Sequence, residues 1–359
     1  MDASGGGGPP RRARLDLARL NRVLVVNAGS TSLKLSVVDA ADESRTVESL
    51  AALPPGVDAV AHRVVHGGAT FRDPVLIDAS VEDELCRLVE LAPLHNAPAI
   101  AAIDDARAAL PEVPHVAVFD TAFHATIPDE AATYALPRTF REEWGIRRYG
   151  FHGLSVRWAA ERVPVERLVV CHLGGGCSVT AVLHGRSVDT TMGFTPLEGV
   201  PMATRAGSID PGALFQLVRH GVSTDALEHA LENESGLAGL SGGSGDVREL
   251  EGSDDDSARL ALDVYTYRIA GAVAAMAVAV GGLDALVFTA GVGEHSASVR
   301  ARICERLAHL GVELDGAANA NAEPDIEIGS RDSRVRVHMI RAREDVVAAR
   351  AARELLDPR

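Results

Sequence analysis

Residues 22–39 read RVLVVNAGSTSLKLSVVD, and residues 168–189 read LVVCHLGGGCSVTAVLHGRSVD. Each is a β-branched apolar run, a break of small polar residues or glycines, and a second apolar run. That order predicts strand, turn, strand in both places. Two such units about 145 residues apart predict two related domains facing each other across a site. A chain of 359 residues has room for both, because single cores stop growing near about 250–300 residues.

Between and after the two units, strands alternate with helices, which makes an α/β protein. A strand lies in Val57–Gly68 and ends in glycines, and an apolar strand in Pro114–Pro128 stops at Asp120. Ser80–Leu91 is expected to be a helix capped by its serine, with acidic residues in the first turn. Leu283–Thr289 is a strand, 290–296 a glycine turn and 297–310 a helix. The apolar run Ile269–Gly282 is shorter than the roughly 18–20 residues of a membrane span and reads as a buried helix. Residues 1–15 have basic character without an apolar core, which reads as a flexible tail and not as a signal peptide.

A formal net charge of -15 argues against nucleic acid or an anionic membrane as partner, so a small anionic substrate would need a locally basic pocket. Cys86, Cys171, Cys177 and Cys304 show no CxxC spacing and read as reduced thiols of a cytoplasmic protein. Lys34 is the single lysine of the sequence and lies in the opening unit.

The break at 27–32 offers backbone N–H groups, the hydroxyls of Ser30, Thr31 and Ser32, the Asn27 amide and the Lys34 ammonium, groups that cradle phosphate oxygens. It lacks the GxxxxGK[ST] spacing of a Walker loop, and a strand follows it where that motif has a helix. A solvated hairpin turn is the competing reading, but such turns favour two residues of the Asn-Gly type. Arg63, His95, Asp120, His152 and Arg205 all stand at strand ends or in Gly/Pro-rich loops, where sites are built. Each taken alone is most often plain polar surface.

In order along the chain, VNAGSTSLKL, HRVVHGG, LAPLHNAP, FDTAFHATIP, RRYGFHGLS, MGFTPLEGVPMATRAGSIDPG, FTAGVGEHS and REDVVAAR resemble the acetate kinase family. The resemblance implies the duplicated acetate and sugar kinase/Hsp70/actin-like (ribonuclease H-like) fold, with the site in the interdomain cleft. Its domains would be 16–122 with 346–359, and 123–345. It implies reversible transfer of a phosphoryl group from ATP to acetate, with Mg²⁺ or Mn²⁺, in a cytoplasmic homodimer.

Carried over by motif, Asn27, Ser30, Ser32 and Lys34 would line the phosphate side. Arg63 and Arg205 would hold the carboxylate and the transferring group, His152 would bond its oxygens, and His95 would support the site. Asp120, Asn27 and Glu344 would organise the metal. His172, Leu173, Gly174, Gly175 and Gly176 would contact the nucleotide, together with Asp246, Val247, Arg248, Gly291, Val292, Gly293 and Glu294. Val65, Leu94, Phe151 and Pro196 would form an acyl pocket sized for a methyl group. A carboxylate substrate, with a pKa of roughly 4–5 by analogy with side-chain carboxyls, needs no general base.

Three features depart from the family pattern. Its HLGNG is His172-Leu173-Gly174-Gly175-Gly176 here, so a phosphate-facing Asn is replaced by Gly175. The segment between Ser36 and Val57 is short and is expected to lack a strand and a helix. Arg343 and His295 stand where the family has asparagines. Alternatives are a kinase preferring propionate, one using pyrophosphate, and a nucleotide-binding scaffold without turnover.

Overall fold

The structure is a computed structural model that describes residues 20–28, 33–91 and 93–357. The first sheet contains β1 (Arg22–Ala28), β2 (Leu33–Asp39), β3 (Ser44–Val47), β4 (Ala59–Val64), β5 (Val75–Leu76) and β6 (His115–Phe119), in the order β3-β2-β1-β4-β6-β5. The second contains β7 (Arg167–Leu173), β8 (Cys177–Leu183), β9 (Arg186–Thr190), β10 (Ala285–Thr289), β11 (Ile326–Glu327) and β12 (Arg336–Met339), in the order β9-β8-β7-β10-β12-β11. The two orders are the same. In each sheet three antiparallel strands lead into two parallel additions, and a two-residue antiparallel strand closes the far edge. The sequence repeat is therefore a repeat of fold, and the α/β expectation holds.

Central strands β6 and β10 are buried along their whole length, as expected of parallel strands covered on both faces. Helix Pro93–Ala109 covers the outer face of the first sheet, and helix Asp256–Ala279 that of the second. Helices Gly153–Arg162 and Glu344–Leu356 lie between the sheets, in one apolar cluster with Val25, Ala61 and Val118 from the first and Val170 and Val287 from the second. Helix Asp256–Ala279 is long and apolar enough to cross a membrane by length and composition, but Tyr265, Ile269 and Val273 are core residues packed toward β7 and β8.

The structure corrects two sequence expectations. The helix at residue 79 is capped by Asp78, whose carboxylate accepts from the N–H groups of Ser80 and Val81, so Ser80 lies inside its first turn. A short helix, Ala290–His295, occupies the expected glycine turn. The short segment after Ser36 supplies β3 and a 3-10 turn at Leu50–Ala52, and the first sheet has as many strands as the second.

Candidate active site

Of the side chains singled out in the sequence, Asn27, Arg63, Asp120 and His172 gather at the carboxyl ends of the parallel strands, where open α/β sheets bind ligands. Register explains the grouping. Asn27 ends β1 beside Lys34 of β2 and Arg63 of β4. At the matching place in the second sheet, His172 stands between Ser178 of β8 and Thr289 of β10. At these register positions the first sheet contributes charged side chains and the second neutral polar ones.

Arg63 organises the charged half. Its Nε donates to Asp120 Oδ1 at 2.9 Å, its Nη2 to Asp120 Oδ2 at 2.5 Å, and its Nη1 to Asn27 Oδ1 at 2.9 Å. Asn27 Nδ2 in turn donates to Glu344 Oε2 at 3.4 Å, and that carboxylate lies 3.8 Å from Arg63 Nη1. Asp120 has no exposed surface. Burial pushes its pKa up from the ordinary carboxylate range, and the guanidinium opposes that shift. Burial works against charge on Arg63 as well, but Asp120 and Glu344 outweigh it and hold the guanidinium charged.

Across the cleft His152 sits at φ 60°, a left-handed conformation uncommon for any residue but glycine. Gly153 follows because a Cβ there would collide with the Asp120 carbonyl oxygen, to which Gly153 N donates at 3.0 Å. The imidazoles of His152 and His172 stack, and each bonds a serine, His152 Nδ1 with Ser178 Oγ at 3.0 Å and His172 Nδ1 with Ser155 Oγ at 2.8 Å. Burial, then the neighbouring His172, Arg63 and Arg205, hold His152 well below the usual imidazole value. Burial, then Arg63, bring His172 down to about 4. Both rings are neutral at pH 7. Arg205 pairs through Nε with Glu232 at 2.8 Å, and a Cβ built on Gly176 would lie 3.2 Å from His152 Nε2 and 3.7 Å from Arg205 Nη1. His152, Arg205 and the glycine loop therefore share one wall.

The cleft between the halves has a volume of about 1140 Å³, and His172, Gly174, Gly175, Gly176, Gly291 and Glu294 line its second-sheet side. Ala290 takes φ 67° where the chain leaves β10. Glu294 Oε1 accepts from Ala342 N at 2.9 Å, tying this corner to the segment before Glu344. Leu173, Val247 and Gly293 are buried, and Val292 is half-buried against the core. Asp246 caps helix Val247–Glu251 and pairs with Arg248 at 2.6 Å, and neither side chain lines this cleft.

Val65 and Phe151 share one apolar cluster, and Pro196 is buried on the loop after Gly193. Leu94 and His95 lie in helix Pro93–Ala109, with their side chains outside the described part. Ser30 and Ser32 lie outside the described residues.

The family model of the acetokinase family matches residues 52–350. The chain belongs to the acetokinase family. It is 50% identical over 316 residues to the acetate kinase of Deinococcus deserti, covering 84% of this chain and 78% of that one. Among solved structures it resembles a propionate kinase from Francisella tularensis, with TM-score 0.84, 34% identity and 92% and 98% of the two chains covered. It also resembles Porphyromonas gingivalis acetate kinase, with TM-score 0.83, 31% identity and 94% and 100% covered.

Several side chains that shape this acetokinase site were missed in the sequence. Buried Arg300 donates from Nη1 to the carbonyls of Gly293 and Glu294 at 2.9 and 3.0 Å, and its Nε and Nη2 bond Asn319. A basic residue on the face formed by Val299, Ile303 and Cys304 was its available signal. His124 bonds Ser187 Oγ through Nδ1 and the Phe151 carbonyl through Nε2, both at 2.8 Å, and so fixes Phe151. Nothing in its spacing separated it from a surface histidine.

Proposed function

We infer that this chain is an acetate kinase, transferring a phosphoryl group directly and in line from ATP to acetate, reversibly, to give acetyl phosphate and ADP. The observation that carries the reading is the Asp120–Arg63–Asn27–Glu344 cluster facing the neutral His152–His172 pair across one glycine-lined cleft. Phosphoryl transfer spreads negative charge over equatorial oxygens, so positioned donors and cations do most of the catalytic work. Arg63 and Arg205 supply the guanidinium groups. In the neutral tautomer that accepts from Ser178 at Nδ1, His152 carries its proton on Nε2 and can offer it to a phosphoryl oxygen. Both oxygens of Asp120 are engaged by Arg63, so its part is to orient that side chain. Ionised acetate requires no proton acceptor.

Among the described residues no group of three or more His, Cys, Asp or Glu gathers as a metal cage. Magnesium held with substrate phosphates needs only one or two protein carboxylates, and Glu344, lining the cleft with Asn27 bonded to it, fits that role. A bound Mg²⁺ would neutralise phosphate charge.

The proposed domains are 16–122 with 346–359, and 123–345. A homodimer is supported by helix Asp256–Ala279, which presents Leu260, Tyr267 and Val278 at 54%, 60% and 81% exposure along one side. An apolar stripe of that kind on a folded protein marks an interaction face. Free thiols at all four cysteines support a cytoplasmic setting.

The test is acyl phosphate formation, trapped as the hydroxamate, from acetate, propionate and butyrate with MgATP and with pyrophosphate. Acetate with ATP is expected to lead propionate in kcat/KM by about tenfold or more, one methylene being worth about 1–3 kcal/mol. Preference for propionate would move the reading to the activity named for the Francisella relative. ATP binding without product from any acid would overturn it.

A further inference from the structure

Pro196, which the family resemblance places in the acyl pocket, belongs to residues 191–198, which contain no helix or strand. Their position rests on three side chains outside the pocket. Tyr134 Oη accepts from Phe194 N at 3.0 Å and donates to Glu198 Oε2. Glu198 Oε1 accepts from Arg148 Nη2 at 3.0 Å. Arg148 Nη1 donates to the carbonyls of Thr190, Thr191 and Met192 at 2.8, 3.0 and 3.0 Å, and its guanidinium lies over the Tyr134 ring. The next residues bind the same loop, since Tyr149 N donates to the Gly193 carbonyl at 3.0 Å. Gly193 leaves room for this pair, since a Cβ there would collide with Tyr134 Oη and Glu198 Oε2 and one of them would have to move.

From this loop a row of rings leads to the pocket. Phe194 lies 6.2 Å from Tyr149, Tyr149 4.6 Å from His66, and His66 5.4 Å from Phe151, centroid to centroid. Phe151 and Val65 share the apolar cluster that would meet the acyl group. A loop without its own backbone ladder moves when its side-chain anchors are cut, and the ring row carries that movement to the pocket wall.

We propose that Tyr134, Arg148 and Glu198 are positioning residues that set the width of the acyl pocket, and with it the choice between acetate and longer acids. This rests on the acetate kinase reading. Tyr134→Phe keeps the ring under Arg148 and removes both bonds of the hydroxyl. Glu198→Gln keeps an acceptor of the same shape and removes the charge facing Arg148, so it is the milder change.

The experiment measures kcat and KM for acetate, propionate and ATP in the wild type and both variants, with melting temperature alongside. In Tyr134→Phe the propionate-to-acetate ratio of kcat/KM is expected to rise about three- to tenfold, part of the value of one methylene. Acetate KM rises while ATP KM stays within about twofold, and Glu198→Gln lies between Tyr134→Phe and wild type. An unchanged ratio in both variants, with lowered melting temperature alone, overturns the network's role in selectivity while leaving the acetate kinase reading intact. A wild type that makes no acyl phosphate overturns both.

Discussion

His152 and His172 stack face to face with ring centroids 3.9 Å apart and an interplanar angle of 17°. Two imidazoles so close and so buried favour the neutral state of both, which links the site to acid stability. His66, His124 and His172 are all brought down to about 4, in each case first by burial. The unfolded value is near 6.5, so below it the unfolded chain binds more protons than the folded one. The stability they contribute is complete above about pH 6.5 and is lost as pH falls through about 4. Each such histidine contributes a slope of up to about 1.4 kcal/mol per pH unit across that window. Urea unfolding at pH 7, 6, 5 and 4.5 is expected to show the decline. His172→Gln, which keeps a partner for Ser155 and cannot titrate, flattens it by about one proton. A profile that stays level down to pH 5 would contradict this account.

Lys34 lines the cleft opposite Asn27 and is exposed in a chain that otherwise uses only arginine as its long cation. A compact ammonium can approach one phosphate oxygen, whereas a planar guanidinium reaches further and binds in a fork. Lys34→Arg is expected to lower kcat at least about tenfold, or about 1.4 kcal/mol, with the melting temperature unchanged. Wild-type kinetics in that variant would make the lone lysine an accident of coding.

Gly175, where the family pattern has an asparagine, either marks a lost donor or a loop that needs glycine, and its backbone bears on the choice. Gly175 does not take a positive φ, and a Cβ built on it meets nothing within 4 Å. The loop does not require glycine there, so Gly175→Asn is accommodated and restores a side-chain donor toward the cleft. A hydrogen bond to a charged group is worth roughly 1.5–3 kcal/mol, so kcat/KM for ATP is expected to rise by about tenfold or more. Steady-state kinetics with varied ATP provide the check, and a large loss in the folded variant would rule out the missing-donor account.

The duplicated hairpins were legible in the sequence because a β-branched run broken by small residues leaves a pattern within one short window. The charged cluster was legible because Asn27, Arg63 and Asp120 each sit where a strand ends. Arg148 and Glu198 were not, because their pairing joins residues 50 apart and depends on how residues 191–198 fold back. Strand β3 was not read in the sequence for a related reason. SRTV at 44–47 has a single apolar residue, Val47, and becomes a strand only because β2 offers it an edge.

Helix Glu344–Leu356 packs against β1, β4 and β6, although those strands lie far earlier in the chain. Its arginines hold the β2–β3 turn, Arg350 bonding Asp42 Oδ2 at 2.9 and 2.6 Å and Arg353 the carbonyls of Val38 and Asp39 at 2.8 and 2.7 Å. During synthesis the first sheet therefore waits for a segment made some 225 residues later than β6 before it is covered on both sides. Glu344 begins that segment, so the moment that seals the first half also delivers its carboxylate to the cleft. A ribosome-bound chain stalled before residue 344 would have Arg63 and Asp120 but neither a closed first half nor Glu344, and both would arrive with this one helix.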